Sequence, residues 1–394
     1  MPPTGPTLVS NSLAGQLNRA RVLKTLYAHG PLARTELARL TGSSRATIGQ
    51  IVQPLIDEGV LEERGPLASS PAGGKPRRPV WFSATGSLIG AVCLLPGGAQ
   101  VAVVSAGGDV MASSTVPLRA RDGQGRVVDH IVAALREVTA AADGRLRGIG
   151  IAVGGMVDTD AGRIVRMNLA PFLDGLAIGP LVAEQTGVAC YTDLHPRAQA
   201  LGDLWFGAGR GLTTFASVYI GAGIGAGFII NGAAHRGIGG AGGEVGHTCV
   251  DVRGPYCSCG LRGCWELIAT LRWLRGQAAA RDLPGATRMT AARLTALAGR
   301  GNAAAAELTE AYGHNIAVGL GNIQQTLAPG VFVLHGDPCG GGERLRAIIE
   351  RELTRTAYVH PAVTPSVLMA EADDHATLRG AACIVLSHQL DVTF

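Results

Sequence analysis

Residues 239–266 read GGAGGEVGHTCVDVRGPYCSCGLRGCWE. Three cysteines fall within eight positions, Cys257, Cys259 and Cys264, and His247 precedes them in the pattern His-x9-Cys-x-Cys-x4-Cys. Three thiolates and one imidazole on a short glycine-rich loop make a closed tetrahedral ligand set for a structural Zn²⁺, with no place left for a catalytic water. Cys249 lies close enough in sequence to compete for a ligand position. Cys93, Cys190, Cys339 and Cys383 are isolated and read as small buried side chains. Eight cysteines in 394 residues are too few for a disulfide scaffold, and their clustering points to a metal.

The composition around this loop is that of a folded body. Hydrophobic residues make up 47% of the chain and charged residues 16%, enough to bury more than one core. The net charge of +4 is unevenly spread: residues 1–82 carry 10 Lys/Arg against 5 Asp/Glu, and all the excess positive charge lies there. Such a segment suits a polyanionic partner. No stretch is continuously apolar in the manner of a membrane helix, and MPPTGPTLVSNS has no basic region ahead of an apolar core. The expectation is a cytoplasmic protein with no membrane partner.

From residue 87 onward, apolar runs such as SLIGAVCLL, GRLRGIGIAVGGMVD and TFASVYIGAGIGAGFIING alternate with helical segments such as GRVVDHIVAALREVTAAAD. Strand and helix alternating at this spacing predict an α/β body with mixed sheets, divided into two lobes around a cleft.

The N-terminal segment reads differently. Helical periodicity covers 13–29, Gly30-Pro31 stops it, and a short helix follows from Arg34 to Leu40. TGSS then supplies a tight turn, with Ser44 placed to cap a third helix from Arg45 to about Glu58. Ile48, Ile51, Val52, Leu55 and Ile56 form one apolar stripe on that helix; Ala46, Thr47, Gln50 and Gln53 form the opposite face, flanked by Arg45. Two short helices joined by a glycine-containing turn make a helix-turn-helix pattern, and a plain three-helix bundle is the alternative. Gln pairs with adenine and Arg with guanine in the major groove. VLEER and PVWF read as a strand pair. The loop between them carries Lys75, Arg77 and Arg78, either as a wing whose cations meet phosphate or minor groove, or as a charged linker.

Taken together, these segments resemble the ROK family of repressors, open reading frames and sugar kinases. The resemblance rests on GGAGGEVGHTCVDVRGPYCSCGLRGCWE, on the preceding GAGIGAGFIINGAAHRG and on GIAVGGMVDTDAGRIV, and spans residues 13 to about 388. A winged helix ahead of the body is the mark of the repressor branch, of the N-acetylglucosamine- and xylose-repressor type. The resemblance implies an actin-like, sugar-kinase body behind a winged helix-turn-helix, with a structural zinc loop. The implied boundaries are 1–82 for the DNA-binding domain, 83–194 plus 378–394 for lobe one, and 195–377 for lobe two, which holds the zinc loop and oligomerisation helices. By motif position it places sugar contacts on Asn168, Glu244, His247 and Glu266. Zinc on one nitrogen of His247 would leave the other for a sugar hydroxyl.

The chain also departs from the family's kinases. Their Asp-x-Gly-Gly-Thr loop stands here as CLLPGGAQ, with no carboxylate between Pro79 and Gly108 and no hydroxyl after Gly97-Gly98. The position of their catalytic aspartate is His195. Asp193, on the same face of an extended strand, would lie about 6–7 Å behind it. A third phosphate-side motif reads HGDPCGGG. Phosphoryl transfer needs a base and phosphate- and Mg²⁺-binding groups, so the kinase machinery reads as lost. His195 beside Arg197 suggests a cleft floor suited to a phosphorylated or acidic sugar.

The expectation is a sugar-responsive DNA-binding regulator, most simply a repressor of carbohydrate-metabolism genes. As a homodimer or homotetramer it would bind a palindromic double-stranded operator and answer to a sugar or sugar-phosphate effector. An active sugar kinase and a metal-dependent scaffold without ligand are the rival readings.

Overall fold

A computed structural model of the chain describes residues 11–65, 78–84, 86–142, 146–356, 364–371 and 375–390. It opens with α1 (Asn11–His29), the short strand β1 (Leu32–Ala33), α2 (Arg34–Thr41) and α3 (Arg45–Asp57). Gly42 ends α2 in the left-handed region, at φ 66°, which favours glycine. The Ser44 hydroxyl then accepts from the Thr47 N–H at 3.0 Å and starts α3. Ile48, Val52 and Leu55 are fully buried and share a core with Leu23, Leu26 and Leu37. β2 (Leu61–Glu63) pairs antiparallel with β3 (Pro79–Phe82), and β3 with β1. Among the described residues the head is therefore three helices and a three-stranded sheet in the order β1-β3-β2.

The body begins with a meander, β4 (Leu88–Leu95), β5 (Gly98–Ser105) and β6 (Val110–Pro117), covered by α4 (Gly123–Ala141). β7 (Leu146–Val153) runs parallel to β4; its last six residues are buried, as a strand covered on both faces requires. The hairpin β8 (Met156–Asp158) and β9 (Arg163–Arg166), then α5 (Ile178–Thr186), lead to β10 (Cys190–Leu194), parallel to β7. The sheet order is β10-β7-β4-β5-β6. α6 (His195–Phe206) leaves its end.

A second sheet repeats this plan. β11 (Phe215–Ile220), β12 (Ile224–Ile230) and β13 (Ala233–Ala234) form its meander. After the Gly- and Cys-rich loop come α7 (Glu266–Ala269), α8 (Leu271–Ala279), α9 (Ala291–Gly299) and α10 (Ala303–Leu327). β14 (Val331–Gly336), α11 (Gly342–Thr356) and β15 (Ser366–Met369) complete the order β13-β12-β11-β14-β15. In both sheets the fourth and fifth strands add in parallel beside the first strand of the meander. This duplicated α/β plan is that of the actin-like sugar-kinase body.

The last helix, α12 (Ala376–Gln389), crosses back to the first lobe and packs on β4, β7 and α6. A Cβ on Gly380 would overlap the Ala198 carbonyl, and one on Gly202 the Ala376 carbonyl. The two helices thus touch backbone to backbone where the lobes meet. Among the described residues no helix is long and apolar enough to cross a membrane.

Candidate effector cleft, metal-ligand cluster and recognition helix

A cleft of about 1130 Å³ opens between the two sheets. Its walls include the turn at 95–99, the β9 end with Arg166 and Asn168, the first turn of α6, the turn at 222–225, the loops at 243–247 and 335–340, and residues 370–371 and 375–378. Asn168, His195, Glu244, His247 and Glu266 all line it.

Arg197 does not. It is 1% exposed, its Nε donates to Asp193 at 2.6 Å, and its guanidinium also donates to the carbonyls of Arg236 and Gly240. Arg236 closes the second oxygen of Asp193 at 2.6 Å. The expected anion-binding role for Arg197 is therefore corrected: its charge is consumed by Asp193, and it ties the glycine-rich loop to the end of β10. Buried ions persist where partners of this kind satisfy them.

His195 lies elsewhere than an extended strand would put it. β10 ends at Leu194 and His195 is the first residue of α6, so the two-residue alternation linking it to Asp193 does not apply. Its ring is 4% exposed, lies edge-on to Tyr219 at 4.9 Å, and has Nε2 3.2 Å from the Thr377 hydroxyl. Burial, with a smaller contribution from the His335 charge, pushes its pKa down to about 3, so the ring is neutral near pH 7. His335 is itself held 2.9 Å from the buried Asp203 carboxylate.

Glu244 and Glu266 both line the cleft, near enough for the charge of Glu266 to act on Glu244. Burial raises the pKa of Glu244; His247 opposes that, Glu266 adds to it, and Arg197 opposes it. Glu266 accepts from the Ile224 N–H at 3.2 Å and so fixes the turn between β11 and β12. Two adjacent carboxylates in a half-buried wall are acceptors for sugar hydroxyls.

His247, Cys257, Cys259 and Cys264 offer ligand atoms that all lie within 4.8 Å of one another. Cys257 Sγ is 3.8 Å from His247 Nδ1, and Cys259 Sγ is 3.7 Å from Cys264 Sγ. A tetrahedron with Zn–S bonds of about 2.3 Å has edges of about 3.8 Å, so the donor set and its size both fit a metal ion. Burial and the two neighbouring sulfurs push the Cys264 thiol up to about 12, a crowding that a dication would relieve. Cys249 is exposed and lies outside this cluster, which settles the competition for a ligand place. Cys264 leads into Trp265, whose indole is fully buried and donates to the Asn315 carbonyl on α10 at 2.8 Å. The cluster, the indole anchor and Glu266 are thus consecutive on one loop.

On the head, Arg45, Ala46 and Gln50 are exposed and Thr47 is half-buried on the first turns of α3, beyond the Ser44 cap. Gln53 is tied to Arg34 at 3.1 Å and to Asp57 at 2.9 Å, so the open part of the polar face is its N-terminal part. Arg78 is exposed just before β3; Lys75 and Arg77 lie outside the described residues. Lys24 points to the body, 3.4 Å from the Gly232 carbonyl, and burial lowers its pKa.

Several cleft residues had no signal of their own in the sequence. Tyr219, Asp337, Glu371, His375 and Thr377 line the cleft only because strands and helix ends remote in sequence converge there.

Residues 96–388 match the profile of the ROK family. A putative xylose repressor from Caldicellulosiruptor sp. (strain Rt8B.4) is 27% identical over 97% of this chain and 98% of its own. A solved ROK transcriptional regulator, described as a homologue of the Escherichia coli MLC protein, superposes with a TM-score of 0.79 at 24% identity, covering 96% of this chain and 98% of its own. A ROK hexokinase from Thermus thermophilus superposes with a TM-score of 0.65 at 25% identity, covering 77% of this chain and 99% of its own.

Proposed function

The chain belongs to the ROK family, and on that premise we propose that it is a sugar-responsive transcriptional repressor of carbohydrate-metabolism genes, with the kinase machinery of the body lost. The observation that carries this is where the likenesses end. The xylose-repressor relative matches nearly end to end, head included, whereas the whole hexokinase is used up by about three quarters of this chain.

In this reading the head is a winged helix-turn-helix, and α3 enters the major groove with Arg45, Ala46, Thr47 and Gln50 toward base edges. Ser44 caps the helix, while Lys75, Arg77 and Arg78 meet the phosphates. A homodimer or homotetramer presents paired heads to a palindromic operator. Asn168, His195, Glu244, His247 and Glu266 bind the effector. Zn²⁺ on His247, Cys257, Cys259 and Cys264 fixes the loop that carries three of these residues or their neighbours; when bound it supplies only structure.

Loss of phosphoryl transfer is supported by the residues in the cleft. The turn between β4 and β5 presents Leu95 and Ala99, without carboxylate or hydroxyl, and His195 stands where a base would be needed. The test is genomic capture of DNA on the purified protein, followed by footprinting with and without sugars, alongside a coupled ATPase assay over hexoses. The expected result is a footprint that a sugar weakens and no turnover above the blank. Sugar-dependent ATP hydrolysis would overturn it.

A further inference from the structure

The ligand end of this reading can be sharpened. The half of the cleft beyond His195 is bounded by the 95–99 turn, Tyr219, the 335–340 loop, the start of α9 and the start of α12. It is poor in groups that hold anions. Among the described residues that line the whole cleft there are four carboxylates, Glu244, Glu266, Asp337 and Glu371, against one guanidinium, Arg166, and no lysine. Like charges facing an incoming anion oppose its binding. The N-terminus of α9, a natural phosphate seat, is already filled: both oxygens of Asp337 accept from the Ala291 N–H at 3.1 Å, and the Thr290 hydroxyl accepts from Arg293. Tyr312 donates to the same Asp337 carboxylate at 3.1 Å, which holds it in place.

Besides the carboxylates of Asp337 and Glu371, the groups that remain there are uncharged. Tyr219 offers an aromatic ring, Ala292, Ala370 and Leu378 offer apolar surface, and Thr377 with the neutral His195 offers hydroxyl-scale hydrogen bonds. Ring faces and short neutral polar groups are what a second pyranose needs. At about 1130 Å³ the cleft exceeds the roughly 300–1,000 Å³ typical of sites for drug-sized ligands, far more than one sugar ring fills.

We propose that the effector is an uncharged saccharide of at least two rings, one ring against Asn168, Glu244, His247 and Glu266, and the next in the half-cleft formed by Tyr219, Ala292 and Thr377. This inference rests on the sugar-responsive reading above. It excludes sugar phosphates and nucleotides as ligands of the same cleft.

Calorimetry on the full-length zinc-loaded protein tests it, with glucose, xylose and N-acetylglucosamine, their phosphates, ATP, and a set of neutral disaccharides of mixed linkage. One disaccharide is expected to bind at least tenfold more tightly than its own monosaccharide, with phosphates and ATP weaker still. Ala292→Trp, at an exposed position on the cleft wall, is expected to remove that tenfold advantage, and its melting curve checks that it folds. A monosaccharide or sugar phosphate binding as tightly as every disaccharide overturns the proposal and leaves the sugar-responsive reading standing. Binding of no saccharide of any length removes both.

Discussion

Tyr27 of α1 and Trp205 of α6 stack face to face, with ring centroids 4.5 Å apart and planes inclined by 22°. Phe82 of β3 covers Tyr27 at 3.9 Å, Phe206 meets it edge-on at 5.2 Å, and the Tyr27 hydroxyl donates to the Ala106 carbonyl at 3.0 Å. The head and the body are therefore joined by an aromatic cluster with a buried hydrogen bond at its centre. α6 begins at His195 in the cleft and ends at Phe206 in this cluster, so one helix of 12 residues connects the cleft to the N-terminal head.

Tyr27→Phe keeps the stack and loses the hydrogen bond, which contributes about 0.5–1.5 kcal/mol. Tyr27→Ala also loses the stacking and a large buried area, about 3–5 kcal/mol for an aromatic truncation. The alanine variant is expected to release the head to limited proteolysis and to flatten the effect of sugar on operator affinity. The phenylalanine variant should retain most of both. Equal proteolysis of all three proteins would show that the cluster does not hold the head.

Cys257→Ser and Cys264→Ser are each expected to abolish stoichiometric zinc, measured by elemental analysis. Each should also lower the melting temperature and weaken sugar binding at least tenfold, because Glu266 and His247 depend on the same loop. Chelation should reproduce the loss in the unaltered protein. Cys249→Ser is expected to keep its zinc.

Arg45→Ala and Gln50→Ala are expected to cost about 1–3 kcal/mol each in operator binding and to relax sequence preference at one position of each half-site. Binding should fall steeply with salt, with a smaller slope when Arg78 is replaced by Ala. Footprints unchanged in both α3 variants would move recognition off this face.

His195 gives a pH signature. The unfolded chain takes up its proton below about pH 6.5, while the folded ring does so only near pH 3. Between these values the unfolded state binds more protons, so acidification favours unfolding, by up to about 1.4 kcal/mol per pH unit for one such group. His195→Gln should lose less stability than the unaltered protein between pH 6.5 and pH 4, read from urea unfolding. Parallel losses would mean that the ring titrates in the folded state.

Gly380→Ala is expected to destabilise by more than the 1–3 kcal/mol typical of an overpacked core, since its Cβ would meet the Ala198 backbone, which cannot rotate away. Chemical denaturation reads this directly. A near-neutral Ala would show that α6 and α12 can separate without cost.

The local elements were readable because their signals are local. Ser44, the glycine of TGSS and the stripe Ile48–Val52–Leu55 set the helix-turn-helix segment within some fifteen residues, and the ligand spacing of His247 to Cys264 lies on a single loop. The environment of the α6 start was not readable in the same way. His195 and Arg197 are two residues apart, yet one turns into the cleft and the other is drawn off by Asp193 and the carbonyls of Arg236 and Gly240. Asp193 is only four residues upstream of Arg197, but the carbonyls of Arg236 and Gly240 lie some forty residues downstream, and no spacing rule in the sequence links those to Arg197.

The sequence by itself determined the helical head, the alternation of strand and helix, the candidate metal-ligand cluster and the absence of an acidic phosphate loop, because each depends on residue type and short-range spacing. Only the tertiary structure decided that the body is one five-stranded plan built twice, that α12 returns to lock onto α6, and that the cleft carries four carboxylates while Arg197 is held away from it by Asp193. Those features arise from burial and pairing between segments far apart in the chain, where the free energy of a charge depends on what is folded around it rather than on its neighbours in sequence.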